Sequence, residues 1–130
     1  MIVETIPMWT DRHSFVPLRD VLALLPANSW RWKLEEFEGV GQPPEGATWA
    51  EFHVAVDTGV AVFDWAGIQR FAEGLDQMID GRIVATDADD MPVVTVDVFD
   101  SSEYQIVIDP ARSDAAAHVR RCLDARQAKW

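Results

Sequence analysis

The residues with the most recognisable chemistry are Asp87-Ala-Asp89-Asp90. Carboxylates at this spacing open a calcium loop when a glycine stands at the sixth position and a bidentate glutamate at the twelfth. Those places hold Pro92 and Val98, so the run reads as a solvated acidic turn. His118 and Cys122 are four residues apart, on one face of a predicted helix. Two ligands fall short of the three or four that zinc requires. As a thiolate–imidazole pair they lack a local group to stabilise the anion or the reacting oxygen. Cys122 is the single cysteine, which excludes a disulfide within the chain. Ser101-Ser102 has no nucleophile elbow around it, and Gly39-Val-Gly41 lacks the rest of a phosphate-binding loop. Spacing alone singles out no acid–base pair among the 22 Asp and Glu residues. The sequence therefore assigns no metal, no cofactor and no catalytic group, and the expected function is non-enzymatic.

What remains is surface chemistry. Residues 34–109 hold 17 of the 22 acidic residues and only two cations, Arg70 and Arg82. The chain as a whole carries −11. A field of one sign repels phosphate and attracts cations, which argues against nucleic acid and for a basic protein partner. Acidic groups beside aromatic anchors give fast, salt-sensitive association with a few dominant contacts. The candidate partner-binding residues are Trp49, Glu51, Asp57, Asp64, Trp65, Asp87, Asp89, Asp90 and Asp97. Trp30 and Trp32 read as core. The competing reading is a face that only keeps the protein soluble.

The elements that must position these residues follow from periodicity. Residues 17–25 read as a short helix ending at Pro26. Residues 29–37 alternate, with Trp30, Trp32 and Leu34 on one side, as in a strand with one wet face. A Gly/Pro-rich loop spans 39–46. Residues 48–56 alternate again and read as a second strand; 60–63 read as a third. Asp64 is a good cap for a helix over 65–79, with Gly81 just past its end. Residues 82–86, 93–99 and 104–108 read as three strands, in which Thr95, Asp97, Glu103 and Gln105 point outwards. A final helix opens at Asp109-Pro110 and runs to about residue 128.

This order predicts an α+β fold: a single, mainly antiparallel sheet of about five to six strands with two to three helices packed on one face. All 130 residues are expected in one domain: a helical arm over 1–28, an acidic sheet and central helix over 29–109, and a C-terminal helix over 110–130. No stretch approaches the roughly 18 apolar residues of a membrane span. The first residues lack the basic, then apolar, pattern of a signal peptide. A cytoplasmic setting is expected.

Two segments carry a family likeness: Trp32-Lys-Leu-Glu-Glu-Phe-Glu-Gly-Val-Gly-Gln-Pro-Pro-Glu-Gly46, and Asp64-Trp-Ala-Gly-Ile-Gln-Arg-Phe-Ala-Glu-Gly-Leu75. With the strands that follow, residues 30–108 resemble small acidic bacterial proteins of the toxin-immunity type. The resemblance implies a role, the binding and silencing of a basic toxin domain, and assigns it to no particular residue. The alternative is a small-molecule-binding module or an enzyme with a pocket lined by Trp and acidic residues. A homodimer is the further association considered.

Overall fold

Alternation along two neighbouring strands organises the molecule. The computed structural model describes residues 1–130. In β5 (Pro92–Phe99), Val94, Val96 and Val98 are buried, while Thr95 and Asp97 are turned to the other face. In β6 (Glu103–Ile108), Tyr104, Ile106 and Ile108 form the matching buried row. The long strand β4 (Leu75–Thr86) adds Ile83 and Ala85. Together with β1 (Ile2–Pro7), β2 (Arg31–Gly41) and the short β3 (Val62–Phe63), they form one open six-stranded sheet in the order β1-β6-β5-β4-β2-β3. Every neighbouring pair is antiparallel. The fold is α+β.

Four helices cover one face: α1 (Leu18–Leu22), α2 (Trp49–Asp57), α3 (Trp65–Gly74) and α4 (Ala115–Gln127). Each turns a short apolar stripe to the sheet, such as Val21 and Leu22 from α1 or Val119 and Leu123 from α4. Burying each such side chain stabilises the fold by roughly 1.5–3 kcal/mol. The buried phenol of Tyr104 donates to the Val16 carbonyl at 2.7 Å, which ties the N-terminal segment under the helices. Burial pushes that phenol well above its ordinary pKa, with Asp20 adding to the effect. No helix is long and apolar enough to cross a membrane.

The structure corrects the sequence reading in five places, the first being that residues 39–41 of the predicted loop belong to β2. Residues 48–56 are not a strand but helix α2, and this raises the helix number to four. The segment fits both periods, but Thr48 and Glu51 close a capping box, and Phe52 and Val56, four apart, supply the buried stripe. The predicted helix over 65–79 stops at Gly74, because Leu75, Gln77 and Met78 pair with β2 instead. Gly81 consequently lies inside β4 and not beyond a helix. The 1–28 arm is not only helical: residues Ile2–Pro7 form edge strand β1 on β6. Finally, α4 begins at Ala115, since residues from Asp109 make a turn in which Asp109 Oδ1 accepts the Ala111 N–H.

Candidate partner-binding surface

The uncovered face of the sheet is set by β2 and β4. Along β2, Trp32 and Leu34 face the helices. A bulge at Glu35 then places two residues opposite one and reverses the alternation. Beyond it Phe37 turns to the helix side, and Glu36, Glu38 and Val40 turn outwards. Phe37 is held there by aromatic contacts: it stacks on Trp49 at 5.5 Å and meets Phe71 edge-on at 5.5 Å.

The register then places Glu38 directly opposite Asp80. Like charges facing each other across an antiparallel pair are destabilising. Neither carboxylate has a cation within 4 Å. Asp80 does accept the backbone N–H of Asp100 at 3.2 Å. Asp100 and Ser101, both at positive φ, form the tight turn between β5 and β6. That strained backbone is held from β4, where the Ile79 carbonyl accepts the Ser101 N–H and Gln77 Nε2 donates to Ser101 Oγ. Two apolar side chains stand exposed at this end of the sheet, Val40 at 49% and Phe99 at 41%. Higher on the same face, Arg82 donates to Asp97 at 2.7 Å, so its charge is already engaged. That hydrogen bond, then the Coulomb attraction, raises the Arg82 pKa.

The candidate residues named from sequence do not form one patch. Asp97 lies on the open face in its pair with Arg82. Asp64 caps α3 by accepting the Gly67 N–H at 2.7 Å, and Glu51 belongs to the α2 capping box. Asp57 is exposed at the end of α2. Trp49 is half-buried and donates to the Gly41 carbonyl at 3.1 Å. Trp65 is half-buried against Trp32, with ring centres 5.4 Å apart. Asp87, Asp89 and Asp90 share the turn between β4 and β5, beside Trp30 across a shallow groove. No group of three or more His, Cys, Asp or Glu is arranged to hold a metal.

Asp87 organises its turn by accepting the N–H groups of Asp89 and Met91 and by binding Arg112 at 2.8 Å. The Arg112 hydrogen bond first, then the Met91 N–H, hold its carboxyl below the ordinary range. A carboxyl lowered in the folded state supports the fold above its unfolded pKa, and the support disappears as pH falls through the folded value. The Asp87 titration followed by NMR is therefore expected below that of an ordinary Asp. Arg112→Gln should move it upwards; an unchanged midpoint would show that the backbone N–H groups alone set it.

Sequence reasoning missed Glu36, Glu38, Val40 and Phe99. The available signal was the alternation of Glu36, Glu38 and Val40, but its phase depends on the bulge at Glu35. A groove of about 500 Å³ runs between residues 42–45 and α3, lined also by Phe63, Phe71, Arg70 and Glu73. It is the place a small-molecule reading would use. Every buried side-chain polar atom already has a hydrogen-bond partner. Compared with protein-family models, curated proteins and solved structures, the chain gives no significant match.

Proposed function

We propose that this chain is a non-enzymatic acidic binding protein that neutralises a basic protein partner, in the manner of an immunity protein against a toxin domain. The proposed setting is a bacterial cytoplasm. The observation that carries the reading is the opposed pair Glu38–Asp80, which no cation of the chain balances. A strand pair gains nothing from facing carboxylates, whereas a cationic partner would relieve their repulsion. Val40 and Phe99 supply apolar anchors beside the charges, and the open sheet face suits a protein surface better than a small ligand.

The test is capture from the native cell on immobilised chain, followed by association kinetics with the partner found. A basic partner is expected, with an association rate that falls steeply with added salt. The double variant Glu38→Lys, Asp80→Lys should weaken binding by at least about 100-fold, as expected for like charges brought together at an interface. Its thermal stability should not rise, because two facing lysines repel as the two carboxylates did and the acceptor for the Asp100 N–H is lost. A partner that binds both proteins equally, or the absence of any basic partner, rejects the reading.

A further inference from the structure

We propose that two copies of this chain pair through their β1 edges, antiparallel and about a two-fold axis, to make one continuous sheet across a dimer. β1 is the outer strand of the sheet and has β6 as its only neighbour. Its register with β6 runs unbroken from Ile2 to Pro7, without a bulge. The Met8 N–H continues this ladder to the Ser102 carbonyl. In an antiparallel ladder, alternate residues bond to the neighbour and those between them point away. Ile2, Glu4 and Ile6 therefore bond to β6, and the N–H and C=O groups of Val3 and Thr5 face outwards. Nothing in the turns, loops or side chains of the chain takes up those groups.

The edge is also undefended. Exposed edges are usually blunted by an outward Lys, a bulge or a proline. β1 has no Lys or Arg, and its proline is its last residue. Its one charge, Glu4, is turned to the helix side and bound by Arg120 at 2.7 Å. Ile2 and Val3 stand 37% and 51% exposed. The opposite edge is different: β3 has only two residues.

Charge says what the occupant is. Residues 1–28 and 103–130, which build this edge and the helix beside it, hold seven acidic residues and seven Lys or Arg. The entire −11 therefore lies in residues 29–102. A second copy meeting β1 brings its own balanced end and keeps the two acidic ends at opposite extremes of the joined sheet. An antiparallel edge is its own complement under a two-fold axis. Placing Val3 of one copy opposite Thr5 of the other engages all the outward N–H groups of both residues, and it sets the two Glu4 side chains opposite each other, each neutralised by its own Arg120 at 2.7 Å. The pairing also extends the open-face row of Val84, Thr95, Val107 and Val3 across the junction.

Sedimentation equilibrium of the full chain over a range of concentrations tests this. The wild type should approach twice its 14.6 kDa mass. Val3→Lys, at an exposed position, and Thr5→Pro, which removes an outward N–H, should each give monomers with unchanged circular dichroism. A wild type that stays at 14.6 kDa throughout overturns the proposal. So does a dimer that persists in both variants. The Glu38→Lys, Asp80→Lys protein should still dimerise, which separates this surface from partner binding.

Discussion

Trp32→Ala is expected to lower the stability of the chain by about 3–5 kcal/mol, the usual result of truncating a fully buried large aromatic side chain. Trp32 is fully buried on β2, next to the edge strand β3, between Trp30 at 6.1 Å and Trp65 at 5.4 Å. Its indole donates to Asn28 Oδ1 at 3.0 Å, an oxygen that also accepts the Trp30 N–H. One residue thereby fixes the entry into β2, the seat of α3 and the pairing with β3 at Phe63. Domains of this kind are held by roughly 5–15 kcal/mol in total, so the loss is a large share of it. Urea unfolding measures it. A loss below about 1 kcal/mol would mean the site collapses around the gap, contrary to the close packing described.

Gly81→Ala is the second large effect, and it bears directly on the proposed surface. Gly81 has φ +148°, a conformation that side chains rarely adopt. An added Cβ would press into the Glu36 carbonyl oxygen and lie 2.6 Å from Met78 Cε. The first obstacle is backbone and cannot turn aside. Strain of this kind costs about 1–3 kcal/mol, and overpacking adds a similar amount. Gly81 also stands where the Phe37, Glu38 and Asp80 rungs begin, so the damage should concentrate there. Hydrogen exchange is expected to show lost protection over 75–80, with β5 and β6 less affected. Uniform loss across the sheet would instead make the two halves of β4 one cooperative unit.

The sequence was most legible where one period ruled out the other. Val94, Val96 and Val98, and Tyr104, Ile106 and Ile108, alternate too cleanly for a helix, and both rows are buried. It was least legible at residues 48–56 and 75–79, where apolar residues satisfy either period. Leu75, Met78 and Ile79 have helical spacing, yet Gly39, Val40 and Gly41 of β2 pair with Met78, Gln77 and Leu75 from more than thirty residues away. No local propensity encodes that pairing. β1 was missed because only Ile6 of its six residues is buried, so its pattern is that of an edge.

The charge followed the same division. Composition alone fixed an excess of acid and confined it to the middle of the chain, because a count of side chains needs no geometry. It could not place Glu38 opposite Asp80. That required the bulge at Glu35, which reverses the facing of β2, and the extra residue Ile79, which sets the register of β4. In a sheet, one residue of slip turns every following side chain to the other face. Which carboxylates confront each other, and which backbone edge is left unpaired, were therefore decided only when the strands came together.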